Sequence, residues 1–412
     1  MSFASLGLSP AFDAVLAPLG VREPTPVQRL AVPALLGGAS VVAVARTGSG
    51  KTLAYALPAL QLLRAVEDAD GIAERRGRPR AVVLTGTREL VDQTVKAVKA
   101  VAHPVKQRVR GVSGGMDDRE TLRALATPCD ILVANPPRLA ALVAAGTVTL
   151  DDVRLLIVDE ADTLLAPGQR RDTEAILARL RKAAQIAWFS ATLPEPLRAE
   201  LMARPERPVH LQARDAHAPP PSLRVVNLRI RADERGDAVH DVLVDAPKTE
   251  RGIVFCNRRE TAESLGALLT ERGHAVVVLH GARAPDDRKR AMAAFRAGEG
   301  RVLVTTELGG RGLHVPDLSF VVNYELPERP SEYLHRIGRV GRQGAEGRIV
   351  NLVTPSDAGI LSEVERITAG GRLDTGESPR APRRRDEQAA AAKRRKAGHG
   401  ERRKAAAARK PR

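Results

Sequence analysis

Val41-Val-Ala-Val-Ala-Arg-Thr-Gly-Ser-Gly-Lys-Thr52 runs from an aliphatic segment into a glycine-rich turn and then into a helical pattern. A short continuous apolar run of this kind reads as a parallel strand buried on both faces. The turn fits G-x-x-x-x-G-K-[ST], with Ala45 in the first place. Gly48 and Gly50 free the backbone to turn its N–H groups toward phosphate oxygens. Arg46, Thr47 and Ser49 complete the expected cradle. Lys51 is expected to reach the β- and γ-phosphates of a nucleotide, and Thr52 to ligate Mg²⁺. The helix that follows offers its N-terminal dipole to the same anion.

Similar aliphatic runs recur along the chain, in two sets. They are 41–45, 81–85, 130–134, 155–158 and 186–189, then 252–256, 275–279, 302–305, 319–322 and 349–353. Helical patterns separate them, which predicts two α/β domains with about five parallel strands each. Between the two sets stands Pro219-Pro-Pro221, which neither a helix nor a central strand can accommodate. The expected division is 1–212, a stiff linker over 213–222, 223–368, and a tail over 369–412.

One further stretch carries chemistry on its own. Asp159-Glu160-Ala161-Asp162 follows the apolar run 155–158. A carboxylate at a strand's C-terminal end, in the domain with the phosphate loop, is placed to hold Mg²⁺. Asp159 takes that role, and Glu160 can deprotonate an attacking water.

The chain has 412 residues, 65 Lys and Arg, 49 Asp and Glu, and a net charge of +16. Of that, +10 falls in residues 371–412, where Arg/Lys clusters alternate with Ala, Gly and Pro. Such a composition cannot build a core, and it reads as a disordered basic extension suited to a polyanion. Two cysteines, Cys129 and Cys256, exclude a disulfide framework and a four-cysteine zinc site. No apolar stretch approaches the ~20 residues of a membrane helix, and the N-terminus does not read as a secretory signal. A cytoplasmic setting without membrane contact is expected.

Taken in order, the motifs resemble the DEAD-box ATP-dependent RNA helicases of superfamily 2, from Phe3 to about Val353. Ala45 at the head of the phosphate loop is a variant that helicases use. Gly20-Val-Arg-Glu-Pro-Thr-Pro-Val-Gln28 resembles the adenine-reading Q motif, with Phe3 upstream and Val21 where an aromatic is usual. Gly86-Thr-Arg-Glu-Leu90 resembles P-T-R-E-L. Gly114-Gly115 matches the glycine pair, and Asn135-Pro-Pro-Arg138 resembles T-P-G-R with Pro137 in place of Gly. Ser190-Ala-Thr192 matches S-A-T. In the second half, His335-Arg-Ile-Gly-Arg-Val-Gly-Arg342 resembles H-R-I-G-R-T-G-R. Arg288 matches a Q-x-x-R element whose Gln is here Pro285. Val304-Thr-Thr-Glu307 and Gly310-Arg-Gly-Leu-His314 resemble A-T-D and A-R-G-L-D, His314 replacing the last carboxylate.

The resemblance implies two tandem RecA-like domains with parallel sheets, using ATP and Mg²⁺. It implies Phe3 and Gln28 at the base, and Lys51, Asp159 and Glu160 at the phosphates. Arg339 and Arg342 would reach across as arginine fingers. Ser190, Thr192, Asp162, His335 and Arg336 would couple hydrolysis to domain movement. Thr87, Arg88, Gly114, Gly115, Arg138, Arg288, Thr306, Arg311 and Gly312 would contact RNA through its backbone, without reading sequence. The implied partners are single-stranded RNA and short duplexes, ribosome precursors or the RNA-decay machinery among them. The basic tail would tether RNA. The departures Val21, Pro137, Pro285 and His314 leave a second expectation open, an ATP-gated RNA clamp or ribosome-assembly scaffold with weak unwinding.

Overall fold

The computed structural model describes residues 2–70, 76–213, 223–306, 318–341, 346–367 and 373–377. In the first domain the strands are β1 (Val41–Val44), β2 (Ala81–Leu84), β3 (Val109–Val112), β4 (Ile131–Ala134), β5 (Leu155–Asp159), β6 (Gln185–Ser190) and β7 (Val209–Gln212). They form one parallel sheet in the order β3-β4-β2-β5-β6-β1-β7. The second domain contains β8 (Leu223–Arg229), β9 (Gly252–Cys256), β10 (Val276–Leu279), β11 (Val302–Thr306), β12 (Phe320–Asn323), β13 (Gly347–Val353) and β14 (Leu373–Glu377). Its sheet, also parallel, runs β10-β11-β9-β12-β13-β8-β14.

Each sheet is covered by apolar side chains on both faces. In the first domain Val41, Ala43, Ile157 and Phe189 face one layer of helices, and Val42, Leu156, Val158 and Trp188 face the other. The second domain repeats the arrangement with Ile253 and Val321 on one face and Val254 and Val322 on the other. The central strands β1, β2 and β4 are buried along their whole length, as continuous aliphatic runs require.

The expected count of five strands per sheet is too low. β3 and β7 are the edges of the first sheet, so their sequences, Val-Arg-Gly-Val and Val-His-Leu-Gln, carry polar residues that break the aliphatic run. β8 alternates buried and open positions, Leu-Arg-Val-Val-Asn-Leu-Arg. β14 lies inside the stretch expected to be tail, yet pairs with β8 from Leu373↔Val225 to Glu377↔Arg229. Composition argued only that the tail cannot build a core; an edge strand needs just backbone partners. The rest of the tail and most of the linker lie outside the described residues. Among the described residues no helix is long and apolar enough to cross a membrane.

A buried charge cluster closes the N-terminal end of the first sheet. Asp130 accepts from Arg80 Nη2 at 2.9 Å and from Arg108 Nε at 2.8 Å. Its side chain is 1% exposed and that of Arg80 4%. Burial alone would raise the Asp130 pKa, but the hydrogen bonds from Arg108 and Arg80 outweigh it and hold the carboxyl below its usual range. Asp130→Ala removes the buried carboxylate that the two guanidinium groups share, and is expected to cost about 3 kcal/mol. The wild-type contribution is complete above pH ~4, where the unfolded carboxyl is ionised, and is lost as pH falls through the lowered native value. Urea midpoints of both proteins between pH 7 and pH 3 should converge at the acid end.

Candidate active site

β5, β6 and β1 are neighbours in the first sheet, with Asp159 opposite Phe189 and Val44 opposite Ser190. Whatever leaves their C-terminal ends must lie side by side. Those ends are the phosphate loop, the acidic turn and the Ser-Ala-Thr segment, three motifs far apart in sequence. This is the crevice where open α/β sheets hold their ligands.

The loop turns on Gly48 and Gly50, with φ of 79° and 88°, values side chains rarely adopt. Lys51 donates to the loop carbonyls of Ala45 at 2.8 Å and Arg46 at 3.3 Å. Burial lowers its pKa, against the pull of Asp159, Glu160 and Asp162. Gly50 meets a second requirement, because a Cβ there would stand 2.5 Å from Gln28 Nε2. The Gln28 amide donates to Gly50 O at 3.0 Å and accepts from Thr25 N at 2.9 Å. As placed, Gln28 is 1% exposed and ties the Thr25 helix start to the phosphate loop. Phe3, expected at the base, is a core residue. It is 1% exposed and packs in the first core, with Val21 against the same core.

The Asp159 carboxylate accepts from Tyr55 O–H at 3.0 Å and from the Glu160 N–H at 3.0 Å. Burial pushes its pKa up to about 6, while Lys51 pulls it down and Glu160 adds to the rise. Tyr55 lies one helical turn beyond Lys51, fully buried, and meets Phe189 edge-on at 5.2 Å. Burial, then Asp159, raises its phenol well above the usual value. Glu160 has φ 58° and ψ 50°, left-handed backbone that a glutamate adopts only at a cost.

Asp162 is the junction between the domains. Thr192 Oγ1 donates to its Oδ2, and the Ser190 hydroxyl accepts from its backbone N–H at 3.4 Å. From the second domain, His335 Nε2 stands 3.8 Å from the same Oδ2, with both side chains 6% exposed. One turn further on, Gly338 presses against the phosphate loop: a Cβ there would lie 2.7 Å from Thr47 Cβ. Arg339 is 7% exposed and donates from Nε to His335 O at 3.2 Å. Arg336, expected to bridge the domains, has bonds inside its own. These go to Asn257 Oδ1 and Glu325 O at 2.8 Å each and to Asn323 Oδ1 at 3.2 Å.

The residues expected at RNA form a connected strip on the first domain. Thr87 caps its helix by accepting from Leu90 N at 3.2 Å. Arg88 donates to Gly115 O at 2.9 Å, and Asn135 accepts from Gly114 N at 3.0 Å. Pro136 and Pro137 occupy the first turn of the helix Pro136–Ala144, where no intrahelical N–H is needed. Arg138 donates to Asp118 at 2.9 Å and to Thr121 at 2.7 Å. Arg288 crosses the domain gap to Glu89 at 3.3 Å, and Pro285 starts the helix that carries it. Thr306 ends β11 and is 8% exposed. Glu307, Arg311, Gly312, His314 and Arg342 lie outside the described residues.

The model of the DEAD/DEAH box helicase family matches residues 25–199, and that of the helicase conserved C-terminal domain matches 234–344. The ATP-dependent RNA helicase dbp8 of Aspergillus niger is 35% identical over 380 residues, 88% of this chain and 71% of that protein. DBP8 of Phaeosphaeria nodorum is 34% identical, over 90% of this chain and 74% of its own. The chain is a DEAD-box helicase. Among solved structures, S. cerevisiae Dbp5 bound to RNA and ADP BeF3 superposes with a TM-score of 0.81 at 25% identity, covering 92% of this chain and 96% of that one. Mss116p bound to ssRNA and AMP-PNP, at 23% identity and a TM-score of 0.76, shares the fold, covering 91% of this chain and 78% of that one.

Two residues of this helicase's site escaped the motif reading. Tyr55 is one, and its signal was available: it follows Lys51 by four residues, so both lie on one face of the same helix. Glu89 is the other. It sits between named motif residues, but nothing in the sequence says that its partner is Arg288, nearly 200 positions away. The cysteines stay outside the chemistry. Burial pushes the Cys129 thiol up to about 12 and raises Cys256 as well, so neither is a thiolate at neutral pH.

Proposed function

We propose that this helicase separates short RNA duplexes, or strips proteins from RNA, by RNA-stimulated ATP hydrolysis as its two domains close. The observation that carries this reading is the chain from Ser190 and Thr192 through Asp162 to His335. It brings the nucleotide crevice of one domain up to the second, the last link being a 3.8 Å approach of His335 Nε2 and not a hydrogen bond, beside Gly338 on Thr47. The likeness in domain arrangement supports it too. The TM-score to Dbp5 bound to RNA and ADP BeF3 is 0.81, against 0.71 for a single-substitution variant of Dbp5 bound to a Gle1 variant and IP6.

Lys51 and the loop N–H groups would take the phosphates of ATP. Thr52 and Asp159 offer hard oxygen donors, a hydroxyl and a carboxylate, which fit Mg²⁺. That ion would neutralise phosphate charge. Tyr55 holds the Asp159 carboxylate in place. Glu160 would draw a proton from the attacking water, and Arg339 with Arg342 would stabilise charge at the γ-phosphate. The strip from Thr87 to Asn135 presents backbone and hydroxyl groups suited to sugar and phosphate, so recognition would tolerate many sequences.

The test is ATP hydrolysis by the full chain with no nucleic acid, with RNA, and with single-stranded DNA. Stimulation by RNA well above DNA is expected, with duplex separation that requires ATP. Equal stimulation by DNA would refute RNA selectivity. Tight RNA binding without stimulated hydrolysis would replace unwinding by clamping.

A further inference from the structure

Three buried asparagines stand in register across neighbouring parallel strands of the second domain. Asn227 on β8 pairs with Asn351 on β13, and Asn351 with Asn323 on β12. They are 2%, 1% and 0% exposed. The next residue along the line is Phe255 on β9. Every bond of the line runs the same way. Arg336 Nη1 donates to Asn323 Oδ1, Asn323 Nδ2 to Asn351 Oδ1 at 2.8 Å, and Asn351 Nδ2 to Asn227 Oδ1 at 2.7 Å. Aligned amide dipoles of this kind reinforce one another, with a cation at the accepting end. Asn351 Nδ2 also reaches Tyr333 O–H at 3.0 Å, and the Arg336 guanidinium lies 5.1 Å over the Phe255 ring.

Stability does not call for this arrangement. Apolar residues of similar shape at all three places would be neutral or stabilising, since amide bonds in a core barely offset desolvation. The Asn227 Nδ2 at the far end has no partner among the described residues, which is a further cost. What the line does is grip one short helix, Pro330–Ile337, at two points on one face, Tyr333 and Arg336. His335 lies between them in sequence and faces Asp162 of the other domain.

We propose that Asn323, Asn351 and Asn227 are positioning residues for the domain-closing step: the amide line fixes the rotation of the Pro330–Ile337 helix through Arg336 and Tyr333, and so sets His335 at Asp162. The proposal rests on the helicase reading above. It concerns turnover in the closed state and leaves ATP capture, made by the first domain, untouched.

The experiment compares the wild-type full chain with Asn351→Leu and with the triple variant N227L/N323L/N351L. RNA-stimulated kcat, the KM for ATP and the thermal midpoint are read for each. Asn351→Leu should lower kcat roughly tenfold, in the range of coupling mutations remote from a ligand, with KM for ATP moving less than about twofold. The triple variant should regain much of the thermal midpoint, because no amide is left facing apolar positions and Arg336 keeps Glu325 O and Asn257 Oδ1, yet keep the low kcat. Recovery of kcat together with stability would overturn the proposal, since the line would then be packing only. A triple variant that fails to fold would also overturn it, by assigning the line to stability. An inactive wild type would instead refute the helicase reading.

Discussion

Glu160→Gln is expected to lower RNA-stimulated ATP turnover by roughly 10³-fold, the middle of the range for a positioned general base. The amide has the same size and keeps the backbone that Glu160 holds at φ 58°. Its N–H still donates to Asp159 Oδ1. What is lost is the capacity to accept a proton from water. The loop carbonyls that hold Lys51, the Tyr55 bond to Asp159 and the Thr192 bond to Asp162 do not involve the Glu160 side chain. Binding of ATP and of RNA should therefore survive within about threefold, since the effect lies on the chemical step alone. Single-turnover hydrolysis and equilibrium binding of labelled RNA check the two halves. A variant that hydrolyses ATP at even a tenth of the wild-type rate would remove Glu160 from the role of base. Equal loss of ATP binding would show that its carboxylate serves the ground state.

Much of the fold and the crevice could be read from the chain because the central strands of a doubly covered parallel sheet have to be aliphatic. β1, β5 and β6 announced themselves in that way, and the motifs at their ends were read with them. Edge strands are not bound by that rule: β3 and β7 carry polar residues and β14 lies in a polar stretch, although the edge strand β10 is aliphatic, and the interior strand β8 escapes the pattern because its buried positions alternate with open ones. A motif also fixes residue type without fixing direction. Phe3 and Arg138 match the family pattern, yet one packs in the core and the other is held by Asp118 and Thr121. Such outcomes depend on neighbours that local spacing does not specify. The asparagine line shows the limit most plainly. Asn227, Asn323 and Asn351 each look like a polar slip inside an apolar run, and only the strand order makes them one object.

Gly338→Ala is expected to block closure and lower RNA-stimulated turnover by at least about 10²-fold, because arginine fingers worth roughly 10³–10⁵ would no longer reach the phosphate. The backbone gives no reason for glycine here. Gly338 has φ −67° and ψ 5°, which alanine adopts without strain. The reason is contact: a Cβ would sit 2.7 Å from Thr47 Cβ across the domain gap and 3.2 Å from Leu334 O. Thr47 Cβ is anchored next to the phosphate loop backbone and cannot rotate away, so the domains must part. The second domain should keep most of its own stability, since its internal contact, Leu334 O at 3.2 Å, is the milder one and the 2.7 Å clash exists only when the domains meet. ATP binding without RNA should change little, while energy transfer between dyes on the two domains should fail to rise when ATP and RNA are added. A compensating change sharpens the test. In a Thr47→Gly background the opposing Cβ is gone, so Gly338→Ala should then cost less than about twofold more, a departure from additivity that only direct contact explains. Full additivity of the two changes would mean that Gly338 acts elsewhere than on Thr47, and the close approach would lose its part in closure.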